Sequence, residues 1–350
     1  MKHIINNLSG KGAIALVAIA VLLAVVTFNW IVVLAFLLFF GVPLALMQEQ
    51  PAYTSRGEMA WAYTYTFMCA AIFVFLISPI LVVIPLSFNA EPYFTFTEKM
   101  LAFDPAGYSM RWYDQMLALG MANPDNPDSA AWWSDMWNNS QWVNATKNSI
   151  IIGFFATLLA TALGTLAALG LSRPEMPWRR TIMAFLISPM IVPLIITATG
   201  LFFFYSDVGL ANSYIGIIMA HATLGIPFVI ITVTATLVGF DHSLTRAAQS
   251  LGANDLTTFR QIILPLITPG VISGALFAFV TSFDEVVVVL FIAAFDQQTI
   301  PRQMWNGIRE QISPTILAAA TILVFFSIAL LTTVELLRRR SERMRGLSPD

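Results

Sequence analysis

One cysteine, Cys69, stands in 350 residues, which excludes a disulfide framework and any CxxC metal or redox pair within the chain. The three histidines, His3, His221 and His242, are too scattered to build a zinc cluster. Charged residues make up only 11% of the chain, and Lys+Arg 18 against Asp+Glu 20 leaves neither a basic field for nucleic acid nor an acidic tail. No GxxxxGK[ST] phosphate loop occurs, because Gly10-Lys11-Gly12 lacks both the spacing and the hydroxyl. An HExxH and a GxSxG are missing too, so a membrane enzyme has no visible chemistry, and neither a cofactor nor a metal is called for.

What is abundant is apolar surface. At 57% hydrophobic residues and a mean hydropathy of +0.75, the chain holds more than one soluble core can hide. Lipid offers no partner to an unpaired backbone group, so a crossing needs roughly 20 apolar residues in a helix to cover about 30 Å. The stretches that qualify run from about Phe67 to Phe88, Thr146 to Leu171, Thr181 to Tyr205, Ser213 to Val238, Leu266 to Phe295 and Pro314 to Leu337. Ahead of them, Gly12 to Met47 would measure about 54 Å as one helix, too long for a single span. A hairpin turning near Asn29 and Trp30 fits that length, and a tilted span with an interfacial tail is the alternative. Lys2 and Lys11 before this run imitate a secretory signal, but no small-residue cleavage site follows, and retention as an anchor is expected.

The expected architecture is therefore an all-α polytopic membrane protein: a six-helix core plus an N-terminal hairpin, about eight spans. Its expected divisions are a hairpin and linker over 1–66, a core over 67–340 and a tail over 341–350. Placing the C-terminus in the cytoplasm puts thirteen of the 18 basic residues inside, including Arg179, Arg180 and Arg338 to Arg340. Outside remain Lys99, Arg111, Lys147, Arg302 and Arg309. The outer segment 89–145 brings Trp132, Trp133, Trp137 and Trp142 up to the next span, either as an interfacial belt or as a small subdomain packing its own aromatics.

Between two spans, over 239–265, lies the loop GFDHSLTRAAQSLGANDLTTFRQIILP. Leu244, Ala247, Ala248 and Leu251 fall on one helical face, with Arg246 off it. Gly252 permits the left-handed turn that stops a helix, Asn254 or Asp255 can cap the next, and Leu256, Phe259 and Ile263 again share a face. Pro265 is expected to end the unit at the membrane. Two short amphipathic helices joined at a glycine suit docking, and a helix resting at the headgroup boundary is the bland alternative.

RAAQSLGANDLTTFRQIILP resembles the EAA loop of bacterial ABC-importer permeases at Ala247, Ala248, Gly252, Ile262, Leu264 and Pro265. Further strings are similar to the spermidine/putrescine (PotC-like) branch of that family: Tyr108 to Tyr113, Asn148-Ser149, Gly164 to Arg173, Ser282 to Val288 and Ile312-Ser313-Pro314. The resemblance covers about Phe67 to Arg340. It implies a permease subunit without its own ATPase site in a bacterial inner membrane, facing lipid. It also implies three kinds of partner: two copies of a cytoplasmic ATP-binding subunit gripping the loop, a second related permease, and a periplasmic substrate-binding protein. The family's loop glutamate falls on Arg246 here, a reversed charge.

Asp284 and Glu285 interrupt an apolar stretch, where an acid costs about 2.5–3.5 kcal/mol on insertion scales. Either one lines the route of a cationic solute, or both accept hydrogen bonds or stay neutral. If the stretch is helical, they point about 100° apart and only one can face a pathway squarely. His221 lies inside a span, where a bond to a neighbouring backbone is the ordinary explanation. A stand-alone ion-coupled transporter using Asp284, Glu285 and His221 as a proton relay is the competing function, but it leaves the loop without a task. Pro79, Pro85, Pro189, Pro193, Pro227, Pro265 and Pro269 mark expected kinks.

Overall fold

The computed structural model describes Ile19 and residues 53–344, apart from 128, 174, 242, 311 and 312. The hairpin expected over Gly12–Met47 (but for Ile19), His242 and the end of the tail lie outside the described residues. The described residues are helical without a strand, and one isolated bridge joins Asn89 to Tyr108. Five helices are long and apolar enough to cross a membrane, or six spans if one bent pair counts as a crossing. The described chain divides into two compact units, one up to Met116 together with Ser313–Leu331, the other over Leu117–Ile312 with the residues from Thr332.

In the first unit, α1 (Arg56–Leu86) starts at a capping box in which Ser55 Oγ accepts from Glu58 N–H and Glu58 accepts from Ser55 N–H. Pro79 and Pro85 lie inside this helix. Beyond it, α2 (Glu98–Leu101), a 3₁₀ turn at Pro105–Gly107 and α3 (Arg111–Ala118) surround a buried Asn89. Asn89 donates to the carbonyls of Tyr93 and Thr95, and its own carbonyl accepts from Trp112 Nε1 at 2.6 Å. The polar stretch after the first span thus organises itself around one amide, which satisfies backbone groups that would otherwise be buried unpaired. α14 (Thr315–Met344) begins in this unit.

The second unit opens with α4 (Ala130–Asn139) and α5 (Gln141–Leu171). Of the four outer tryptophans, Trp132 and Trp142 are buried, whereas Trp133 and Trp137 are exposed. α5 packs with α8 (Tyr214–Val238) and α11 (Leu264–Phe283) around Ala156, Ala160, Ala222, Val229, Val233, Ile267 and Ala278. Small residues let these backbones approach closely, as in membrane helix packing generally. At Gly274 a Cβ would lie 2.5 Å from Thr232 Oγ1 and 2.8 Å from Val229 Cα.

Two expected spans differ from the sequence reading. Thr181 to Tyr205 is not one helix but α6 (Arg179–Ile191) and α7 (Leu194–Asp207), bent by 100° at Val192 and Pro193. Pro193 has no N–H to continue the helix, and Val192 takes the extended conformation that a following proline favours. Leu266 to Phe295 likewise breaks: α11 stops at Phe283, and α12 (Val287–Ile292) resumes after Asp284 to Val286. After a 3₁₀ turn at Phe295–Gln297 follows α13 (Ile300–Glu310).

Candidate coupling loop and pathway

The loop between α8 and α11 begins with α9 (Ser243–Ser250), whose start is tied by Asp241: Ser243 donates its N–H to Oδ1 and its hydroxyl to Oδ2. Gly252 has φ of +88°, a conformation L side chains rarely adopt. Around it the N–H of Gly252 bonds to the carbonyl of Gln249, and that of Ala253 to that of Ala248, the two bonds of a Schellman stop. Asn254 then caps α10 (Asp255–Thr258), its Oδ1 accepting from Thr257 N–H at 2.8 Å. Gln249 bridges the elbow to Asp255.

Of the stripe expected on α9, only Ala248 is buried. Leu244 and Ala247 are exposed, Leu251 is 90% exposed at the tip, and Leu256 is exposed beyond it. Arg246 is exposed and Phe259 half-buried. An elbow held by its own hydrogen bonds thus presents apolar side chains outward, a surface suited to a partner rather than to a core. Pro265 does not end the unit. A π-helical turn over Phe259–Ile263 carries the chain without interruption into α11, with Pro265 at its second residue.

The other candidate is the break between α11 and α12. Asp284 and Glu285 are not side by side on a helix. Asp284 follows the last turn, its N–H bonding to the carbonyl of Val280, and its side chain is exposed. Glu285 turns inward: it is buried, and Oε1 accepts from Val288 N–H at 2.7 Å, capping the start of α12. Just before the break, Ser282 Oγ lies 2.8 Å from Nδ1 of His221, both side chains being buried between α11 and α8. His221 thus bonds Ser282 through its hydroxyl, and its Nε2 meets no acceptor or donor among the described residues.

At the Gln141 end of α5, Asn148 and Ser149 hold the segment after α12. Asn148 donates to the carbonyls of Asp296 and Gln298, accepts from Tyr214 Oη at 2.8 Å, and Ser149 Oγ accepts from Ile300 N–H. A cavity of about 490 Å³ opens here, lined by Asn144, Lys147, Asn148, Tyr214, Asp296 and Gln303 among others. Sequence reasoning missed Arg302, whose Nη1 donates to the carbonyls of Val289 and Ala293. No local pattern could announce it, since its partners are backbone atoms.

Comparison with known proteins places this geometry. The model of the family described as "Binding-protein-dependent transport system inner membrane component" matches residues 160–344. The spermidine/putrescine transport system permease protein PotC of Haemophilus influenzae is 30% identical over 77% of this chain and 94% of its own length. The putrescine transport system permease protein PotI of Escherichia coli strain K12 is 30% identical over 72% of this chain and 82% of its own. Among solved structures, a bacterial ABC transporter involved in the import of the acidic polysaccharide alginate shares the fold, with a TM-score of 0.57 at 16% identity over 83% of this chain and 99% of that one.

Proposed function

The chain belongs to the family of binding-protein-dependent transport system inner membrane components, and from that premise we propose that it is the permease subunit of an ATP-driven importer of polyamines or related small cationic solutes. The observation that carries this reading is the elbow at Gly252, a hydrogen-bonded apolar knob between two membrane helices with Leu251 at its tip. A cytoplasmic ATPase, two copies per transporter, grips the knob. Closure of the ATPases on ATP pushes α9 and α10, and the continuous helical path from Asp255 to Phe283 passes that motion to the break at Asp284. A second permease completes the route, and a periplasmic binding protein delivers the solute. In this reading the C-terminus is cytoplasmic and the protein sits in the inner membrane.

Cation selectivity follows from Asp284, the acid the break leaves exposed, while Glu285 is engaged by Val288. The names of the relatives support polyamine cargo. Arg246 at the family's glutamate position reverses one contact, so the grip rests on Ala247, Ala248 and Leu251, and the ATPase carries a compensating acid.

Affinity purification of the tagged chain from native membranes tests the reading. A nucleotide-hydrolysing subunit is expected to co-purify, and the complex in proteoliposomes is expected to accumulate radiolabelled putrescine or spermidine only with ATP. Gly252→Val, which forces a β-branched residue to positive φ, is expected to cut ATPase recovery about tenfold while the variant remains membrane-inserted. Undiminished recovery from that variant, or accumulation driven by an ion gradient without ATP, overturns the proposal.

A further inference from the structure

α12 is a six-residue helix cut off from α11 by the break, far short of the ~12–15 residues at which an isolated helix begins to persist. Its direction must be imposed by its surroundings. Val288, Val289 and Ile292 are fully buried in a cluster with Tyr205 of α7 and Ile217 and Leu224 of α8. Apolar packing of that kind fixes which face is covered, but it is non-directional and fixes the two ends poorly.

Two side chains, an acid and a base, fix the ends. At the first turn the buried Glu285 carboxylate accepts from Val288 N–H at 2.7 Å. At the last turn Arg302, arriving from α13, donates from Nη1 to the carbonyls of Val289 at 2.9 Å and Ala293 at 2.8 Å. An acid at the N-terminus and a cation at the C-terminus is the arrangement the helix dipole favours; Glu285 takes the Val288 N–H and Arg302 the Ala293 carbonyl, while Arg302 shares the Val289 carbonyl with the N–H of Ala293. Arg302 is half-buried, its Nε meets no acceptor, and it has no ion-pair partner among the described residues. Burial pulls its pKa below the ordinary arginine value. A cation placed at that cost needs a task, and its hydrogen bonds point to α12.

We propose that Arg302 is a positioning residue of the transport path, clamping α12 together with Glu285 so that the break displays Asp284 in a fixed place. This rests on the reading of Asp284 as the pathway acid. Asp284 adjoins Glu285, so any swing of α12 moves its backbone, while the Ser282–His221 bond anchors the other side of the break. The clamp makes the break a defined element between two held ends rather than a loose loop.

The test uses the intact transporter in proteoliposomes with Arg302→Lys, Arg302→Met, Glu285→Gln and the Arg302→Met/Glu285→Gln double variant. Spermidine taken up per ATP hydrolysed is expected to fall about tenfold in Arg302→Met, the scale of one lost charge-assisted bond, and about threefold in Arg302→Lys, whose ammonium serves one carbonyl at a time. The double variant is expected to be no worse than the poorer single one, since both release the same helix. A role in folding alone predicts uptake and ATP hydrolysis falling in proportion, with the ratio unchanged, and that result overturns the proposal, as do multiplying losses in the double variant.

Amide hydrogen exchange supplies a readout that needs no cargo. Exchange over 286–293 is expected to rise about tenfold in Arg302→Met while 217–224 of α8 stays at the wild-type rate. Should Arg302→Met fail to assemble, Arg302→Lys decides: faster exchange confined to α12 supports the clamp, and wild-type exchange overturns it. A mistaken polyamine assignment shows itself differently, as a wild-type complex that takes up no spermidine while exchange in α12 still responds to Arg302.

Discussion

Asp284 and Glu285 are sequence neighbours with different surroundings, one exposed and one buried against Val288 N–H. The sequence made the pair conspicuous as the acids of an apolar stretch, but not the break that separates them, because no glycine or proline marks it. Its local cause is weak: Asp284 is a poor helix former, and the four valines from Val286 to Val289 are stiff at χ1. The division of labour gives a prediction. Asp284→Asn lowers uptake of a cationic solute about tenfold and leaves the unfolding temperature of the complex where it was. Glu285→Ala lowers that temperature, because a buried N–H without a partner costs about 1–3 kcal/mol. Uptake and thermal unfolding measured on the same preparations decide the point, and equal destabilisation by both variants would defeat it. Ser282 and Arg302 escaped the sequence for a related reason: what they bond lies far along the chain or in the backbone, and neither distance nor carbonyl direction is written in local spacing.

Elements whose causes are local were the legible ones. The elbow of α9 and α10 could be read from Gly252 and Asn254, since a positive φ and a side-chain cap each involve only a few consecutive residues. Where packing sets the geometry, reading stopped short. Pro189 and Pro193 announced a kink, but apolar residues on both sides made α6 and α7 look like one span, and nothing local announces that the kink at Val192 and Pro193 reaches 100°. Gly270 and Gly274 escaped notice although their GxxxG spacing is a known signature of close membrane helices. Gly274 faces backbone as well as a side-chain tip: its added Cβ would lie 2.8 Å from Val229 Cα, which cannot yield as Thr232 Oγ1 at 2.5 Å can. Gly274→Val is therefore expected to push α11 from α8 and destabilise the protein by about 1–3 kcal/mol or more, seen as a lower unfolding temperature and a reduced yield of assembled complex. An unchanged unfolding temperature would mean that the two helices are not held at this approach.

Across the whole molecule, exposed apolar side chains such as Phe75 and Leu76 on α1 and Phe154 and Leu158 on α5 clothe the described helices, as expected where lipid or a second permease replaces water. Composition made the membrane class plain from the start, but it could not say how many times the chain crosses. The bent pair leaves two counts, and they differ in a measurable way. Between Trp137 on α4 and Leu251 at the elbow the chain passes through α5, then α6 with α7, then α8. If the bent pair crosses, that makes three passages and the two residues lie on opposite sides; if it re-enters, two passages leave them on the same side. Both side chains are exposed, so each position can report. In a Cys69→Ser background, Trp137→Cys is expected to react with a membrane-impermeant maleimide from the periplasmic face, and Leu251→Cys only after the cytoplasmic face is opened. Addition of the ATPase should then shield Leu251→Cys and leave Trp137→Cys reactive. Reaction of both from one face would make α6 and α7 a re-entrant loop, and reaction of Leu251→Cys from the periplasm would place the knob where no cytoplasmic motor could grip it.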